Sequence, residues 1–247
     1  MKRTRLGLTA LFGAVLVAVL ADPALAQSTA DSTTEELIWG LNNWLLYLAV
    51  PIAVLVEAIL IYTVWKYRKN DDPLPTRENR RLEIIWTVAT AVVLLAVGIG
   101  SYTVMANPYV TGTDPGQLDA AEDPIEVKVV GQRYSWTFEY PNETVQEYTG
   151  TANEVTNTGT LVIPEGRALE LNVTSTDWLH SFHVPGLALK QDAFPGQWQS
   201  ILTKAQSTGE YQLYCAEYCG SGHSRMLGTV EVRSEQGFQD WLTEQSE

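Results

Sequence analysis

Three long apolar runs dominate the first hundred residues, and a different rhythm follows them. The first run, Leu6 to Leu20, comes after a basic start, Met1-Lys2-Arg3-Thr4-Arg5, and before Ala24-Leu25-Ala26. A basic start, a short apolar stretch and a small-x-small end are the parts of an export signal, so residues 1–26 are read as a signal peptide cleaved near Gln27. The run is short against the roughly 20 residues needed to span a bilayer. The second run, Leu41 to about Trp65, and the third, about Ile84 to Ala106, are long enough to cross. Trp39, Trp44, Trp65, Tyr67, Trp86 and Tyr102 sit near their ends, where aromatic rings favour the membrane interface. Between the spans lie Lys66, Arg68, Lys69, Arg77, Arg80 and Arg81 against Asp71, Asp72 and Glu78. A short loop rich in Lys and Arg is expected on the cytoplasmic side, which places everything after Asn107 outside, in agreement with the export signal. Glu57 interrupts the first span. A carboxylate at that depth costs about 2.5–3.5 kcal/mol, so it is expected to face protein or water, and it hints at a larger integral partner.

From Pro124 the pattern turns to alternation. Ile125-Glu-Val-Lys-Val-Val130 reads apolar-polar-apolar, the mark of a half-buried strand. Further strands are predicted at Tyr134–Tyr140, Thr160–Ile163, Ala168–Thr174, Gln199–Leu202, Glu210–Tyr214 and Thr229–Arg233. Pro141-Asn142, Pro164-Glu-Gly166 and Pro195-Gly196 punctuate them, and many short strands between turn residues predict a sandwich or barrel. A short helix is expected over Gln236–Gln245. The resulting plan is a signal peptide over 1–26, a transmembrane hairpin over 27–106, a linker over 107–123 and an outer β domain over 124–247.

Charge refines this picture. The segment from Asn107 onward holds seven Lys or Arg against twenty Asp or Glu, so it alone accounts for the chain's net charge of -13. Such a surface excludes nucleic-acid binding by phosphate neutralisation. It suits either an acidic docking face for a basic partner, with salt-sensitive steering, or adaptation to high salt.

The candidate chemistry is gathered in the same half. Both cysteines, Cys215 and Cys219, and all three histidines, His180, His183 and His223, lie there, with Met226 close behind. Thiolates, imidazoles and a thioether are ligands for soft or borderline metals. Gly220 and Gly222 let the loop fold tightly, and His180 is expected to arrive from a loop between two earlier strands. Copper fits this donor set better than zinc, which rarely takes Met. A disulfide, a structural zinc site and a core role for Met226 remain open alternatives on spacing alone. A blue-copper centre needs one Cys, two His and usually a Met, so the second Cys would allow two bridged copper ions.

Cys215-x-Glu217-x-Cys219-x-x-x-His223-x-x-Met226, with His180 upstream, resembles the copper A site of cytochrome c oxidase subunit II. His180-Ser-Phe-His-Val-Pro185 and Lys190-Gln-Asp-Ala-Phe-Pro-Gly196 are similar to that family too, and the likeness covers nearly the whole mature chain. The resemblance implies two transmembrane helices followed by an all-β, cupredoxin-like Greek-key sandwich in the cell membrane, with the C-terminal domain on the extracytoplasmic side. It implies that Cys215 and Cys219 bridge two copper ions, with His180, His223 and Met226 or the Glu217 backbone carbonyl completing the shell. It further implies a magnesium ion held by the Glu217 side chain at the interface with subunit I. The partners would be subunit I, other oxidase subunits, and cytochrome c or a small blue copper protein as donor. The implied activity is electron relay within an oxidase that reduces oxygen to water and pumps protons. His183 is expected to be a packing residue.

Leu82-Glu83-Ile-Ile-Trp86-Thr87 resembles the family segment whose glutamate sits at the mouth of a proton channel, which makes Glu83 the candidate for proton uptake. Gly131-Gln-Arg-Tyr134-Ser-Trp136-Thr-Phe138-Glu-Tyr140 resembles the donor-facing strand, with Tyr134 and Trp136 as candidates for receiving the electron. Here the chain departs from the pattern: Tyr134 stands where the family usually has the receiving tryptophan, and Trp136 aligns with a mainly structural one. Quinol oxidase subunit II lacks the copper ligands. A thioredoxin-like copper chaperone typically has one anchor and an α/β pattern. Nitrous oxide reductase carries a much larger catalytic region.

Overall fold

The computed structural model describes residues 30–75, 77–112 and 123–247; the expected signal peptide and most of the expected linker lie outside them. Two long helices lead, α1 (Thr33–Tyr67) and α2 (Arg80–Met105). Each begins at a side-chain cap, Ser32 Oγ accepting from Glu35 N at 3.1 Å and Asn79 Oδ1 accepting from Leu82 N at 3.2 Å, which satisfies N–H groups with no partner inside the helix. Glu35, Glu36 and Glu83 in the first turns and Lys66 in a last turn complement the helix dipoles. Both helices therefore start well before the apolar runs predicted for them. Their apolar side chains, among them Leu55, Ile59, Leu94 and Leu95, are exposed, and both helices are long and apolar enough to cross a membrane. A helix that is apolar all round needs lipid or other helices around it. Where the two meet, Gly100 admits the Trp44 ring, whose atoms lie 2.9–3.4 Å from where a Cβ would stand. Glu57 is exposed at mid-helix.

The start of α1 is tied to the β domain. Thr33 N donates to Lys204 O at 3.1 Å, Gln206 N to Asp31 O at 2.8 Å, and the buried Ser32 hydroxyl to Leu187 O at 2.7 Å. After α2 comes α3 (Pro108–Thr111), a single turn inside the stretch expected to be linker. Asn107 caps it, Pro108 sets its first residue and Gly112 ends it at φ +64°. Tyr109 on this turn is buried with Ala168 and Leu202.

Among the described residues, ten strands form two five-stranded sheets. One has the order β3 (Val155–Thr158), β2 (Ser135–Tyr140), β1 (Ile125–Gln132), β5 (Leu169–Ser175), β8 (Gln199–Thr203). The other runs β4 (Thr160–Pro164), β10 (Leu227–Arg233), β9 (Gly209–Cys215), β6 (His180–Val184), β7 (Leu189–Ala193). The pairs β1–β5 and β4–β10 are parallel and the remaining pairs antiparallel. Val127, Val129, Phe138 and Leu171 from the first sheet share one core with Phe182, Val184, Leu213 and Val230 from the second. Burial along β1 and β2 alternates strictly, as their sequences predict.

Four elements escape the simple pattern. The turn expected at Pro141-Asn142 opens into α4 (Asn142–Thr149), whose Tyr148 meets Phe238 of α5 (Glu235–Ser246) edge-on at 5.0 Å between ring centroids. β3 and β7 carry too few apolar residues to announce themselves and are held by their neighbours. His180, expected on a loop, instead begins β6, paired with β7 on one side and β9 on the other.

Candidate metal centre

Strand register explains why the candidate ligands meet. Phe182 of β6 pairs with Cys215 at the end of β9, and His180, two residues before Phe182, shares its face of the sheet. Beyond Cys215 the chain leaves the sheet and returns: Cys215 N donates to Met226 O at 3.0 Å, and Ala216 N to Ser181 O at 2.9 Å. The loop between is pulled inward at Cys219, which is fully buried, and closes through a short 3₁₀ turn, His223–Arg225, that sets Met226 beneath it. Gly220 has φ +127°, and a methyl there would meet the Tyr134 hydroxyl at 2.8 Å, while one at Gly222 would collide with the Tyr134 ring. Tyr134 thus roofs the loop, and only glycine fits under it.

Cys215 Sγ lies 3.9 Å from Cys219 Sγ and 3.8 Å from His180 Nδ1. Cys219 Sγ lies 3.7 Å from His223 Nδ1 and 3.8 Å from Met226 Sδ. The Cys215 thiol donates to Glu217 O at 3.1 Å. Both cysteines are free. With metal–sulfur bonds of about 2.3 Å and metal–nitrogen bonds of about 2.0 Å, one ion can touch both sulfurs, and an ion can touch a sulfur together with its imidazole neighbour. His180, Cys215 and Cys219 form a buried group whose ligand atoms all lie within 4.8 Å of one another. Two thiols, two imidazole nitrogens, a thioether and a carbonyl oxygen in one buried site fit copper.

The surroundings hold these groups in place. His180 Nε2 is 2.9 Å from Asp177 Oδ1, which leaves Nδ1 facing the sulfurs. The Trp136 ring stands edge-on to His180 with centroids 6.1 Å apart, and a methyl at Gly131 would lie only 3.1–3.4 Å from the two rings. Burial raises the Cys215 thiol, but hydrogen bonds to His180 and to the Ser181 backbone outweigh it and bring it down to about 6. Burial and the neighbouring Cys215 push Cys219 up to about 11. Against an ordinary thiol near 9, the Cys215 contribution to folding is full above that value and lost as pH falls through about 6. The Cys219 contribution is full below 9 and lost as pH rises through about 11. In the metal-free chain, thiolate absorbance should therefore appear in two separated steps, and in urea the two should merge. A single step in the folded chain would contradict this pairing.

Comparison with known proteins identifies the family. The family described as "Cytochrome C oxidase subunit II, periplasmic domain" matches residues 125–233, and its transmembrane counterpart matches residues 14–104. The chain belongs to the cytochrome c oxidase subunit II family. It is 29% identical to cytochrome c oxidase subunit 2 of Cereibacter sphaeroides over 87% of this chain and 78% of that one. It is 28% identical to the protein of the same name from Synechocystis sp., over 86% of this chain and 74% of the relative. The crystal structure of the periplasmic domain of subunit II from Bradyrhizobium japonicum superposes with a TM-score of 0.44 at 23% identity, covering 49% of this chain and 92% of that one.

In this member of the subunit II family, His180, Cys215, Cys219, His223, Met226 and the Glu217 carbonyl come together. The Glu217 side chain points elsewhere, with Oε1 3.8 Å from Lys190 Nζ. His183 stays outside: its Nδ1 lies 2.8 Å from Leu189 O and its ring stands edge-on to Tyr214. Trp136 is fully buried and Tyr134 partly so. Glu83 is exposed in the first turn of α2, about 30 Å of helix away from the sandwich end at 1.5 Å per residue.

Asp177 and Arg133 were not singled out by sequence. Arg133 Nε donates to Cys219 O at 3.1 Å and Arg133 N to Asp177 Oδ2 at 3.1 Å. The only signal was a carboxylate three residues before a candidate ligand histidine, a spacing too common to be diagnostic. Asp177→Asn should weaken metal retention about 10- to 100-fold, the usual cost of losing such a support, read by competition with a chelator. Unchanged retention would show that β6 alone orients His180.

Proposed function

We propose that this chain is the electron-accepting subunit of a haem-copper terminal oxidase, anchored in the cell membrane with its sandwich on the extracytoplasmic side. The observation that carries the reading is the convergence of Cys215, Cys219, His180, His223 and Met226 in one buried cluster in a chain of the subunit II family. Cys215, Cys219, His180, His223, Met226 and the Glu217 carbonyl would together hold two copper ions. Bound there, the copper pair would supply a one-electron acceptor whose charge change is spread over two ions.

The protein's own residues make that change easy. Asp177 fixes the His180 ring, Tyr134 and Trp136 cover the cluster, and the hydrogen bonds from Cys215 N and Ala216 N hold the loop to the sheets. The donor atoms face one another rather than a substrate, which supports relay over catalysis within this chain. The sandwich is read as cupredoxin-like with Greek-key connections. Electrons would pass from cytochrome c or a small blue copper protein to the haem of subunit I, where oxygen is reduced to water with proton pumping. The exposed Glu217 side chain would join a magnesium site against subunit I, and Glu83 would stand at a proton channel's mouth there. The exposed helix faces and Glu57 suit packing against that subunit.

The deciding experiment is the electron paramagnetic resonance spectrum of the copper-loaded full chain in detergent. A mixed-valence signal shared between two copper nuclei is expected. A single-nucleus spectrum, or a chain that takes up only zinc, would overturn the reading.

A further inference from the structure

An exposed aromatic ring outside the Cys215–Met226 loop is joined to the cluster by short contacts. Trp178 lies between β5 and β6, two residues before His180, and is 52% exposed. The Arg133 guanidinium covers its ring at 4.8 Å from the centroid. The same guanidinium donates through Nε to the carbonyl of Cys219 at 3.1 Å. On the other side, the adjacent Asp177 carboxylate meets His180 Nε2 at 2.9 Å. The indole thus reaches one cysteine through a single intervening side chain and one histidine through its own chain neighbour. Tyr134 is placed differently: its ring presses on Gly220 and Gly222, and its hydroxyl sits 3.5 Å from Ser221 Oγ.

We propose that Trp178, backed by Arg133, is the point where an electron from a soluble basic donor protein crosses into the ligand cluster, ahead of Tyr134. This rests on the electron-relay reading. A flat, exposed indole is the kind of anchor that dominates small protein contacts, and the strongly acidic outer segment attracts a basic donor. In the step itself, one electron would leave the reduced donor, which is oxidised by one unit, and the copper pair that Cys215 and Cys219 would hold would be reduced by one unit. No proton moves and no bond forms. The indole and the guanidinium keep their electron counts and fill the gap with polarisable, bonded atoms.

The test uses the copper-loaded full chain in detergent and reduced cytochrome c as the probe. Trp178→Ala should lower the second-order reduction rate about tenfold at low salt, the scale of a lost hot-spot side chain, and Trp178→Phe should restore most of it. The copper spectrum and the reduction by ascorbate should not move, and Trp198→Ala, at another exposed tryptophan, should match wild type. Binding of cytochrome c to the metal-free chain should weaken with Trp178→Ala as well, a readout independent of copper. A Trp178→Ala rate within twofold of wild type, or a larger loss from Tyr134→Leu, overturns the assignment. So does a wild type that shows the two-copper spectrum yet takes no electron from cytochrome c. A wild type without that spectrum overturns the relay reading instead.

Discussion

Cys215→Ser should convert the copper spectrum from that of two nuclei to that of one, and copper bound per chain should fall from two to one. Serine preserves the size of the side chain and can still donate to the Glu217 carbonyl that the thiol contacts at 3.1 Å, so the fold has little reason to change. What it cannot do is bridge. An alcohol holds its proton far above the thiol range, and its oxygen is a hard donor where copper prefers sulfur. The remaining set, Cys219 with His180, His223 and Met226, is one thiolate, two imidazoles and a thioether, the donor complement of a single blue-copper ion. The outcome therefore distinguishes a bridging role for Cys215 from a merely structural one. Metal analysis together with electron paramagnetic resonance reads it directly, and an unaltered two-nucleus spectrum would refute the bridge. His183→Ala supplies the contrast. Its Nδ1 lies against Leu189 O rather than the sulfurs, so the spectrum should be that of wild type.

That contrast shows how much of the site is legible in the chain alone. Cys215, Cys219, His223 and Met226 lie within one short loop, so their spacing by itself points to metal chemistry. His180 is 35 residues from Cys215, so it is a candidate by residue type and not by spacing. Its physical reason, the pairing of Phe182 with Cys215, is a matter of strand register that no local pattern contains. Arg133, whose contact with Cys219 spans 86 residues, and Trp178, singled out by exposure, are hidden in the same way, whereas Asp177 lies three residues from His180 at a spacing too common to signal anything.

The fold divides in the same way. The apolar runs and the alternation in β1 and β2 made the helical pair and the sandwich legible, because burial there repeats with the period of the element. β7, reading Leu-Lys-Gln-Asp-Ala, is polar at its centre, and only its pairing with β6 makes it a strand. α4 follows a Pro-Asn pair that ordinarily signals a turn, and its docking on α5 overrides that preference. The turn Pro108–Thr111 had an Asn-Pro start and a Gly stop in plain view. Its shortness hid it within an apparent linker.

Trp136→Ala should be the most destabilising single change in the sandwich, costing about 3–5 kcal/mol, the usual range for emptying a large aromatic site in a core. The ring is fully buried and stands edge-on to both Phe182, at 5.7 Å between centroids, and His180, at 6.1 Å. Each such aromatic pair contributes about 0.5–1.5 kcal/mol beyond its area. His180 and Phe182 both flank this ring, so partial collapse of the cavity would displace the histidine. Loss of stability and loss of copper affinity should therefore appear together, the first in urea unfolding of the sandwich and the second in competition with a chelator. Trp136→Phe separates packing from any role of the indole itself. Trp136 Nε1 has no hydrogen-bond partner among the described residues, so phenylalanine gives up volume but no bond. Its stability loss should be smaller, and its rate of electron acceptance from a reduced donor should stay near that of wild type. A large rate loss in Trp136→Phe with the copper spectrum intact would mean that the buried indole carries the electron inward, and Trp136 would then be more than a wall of the site.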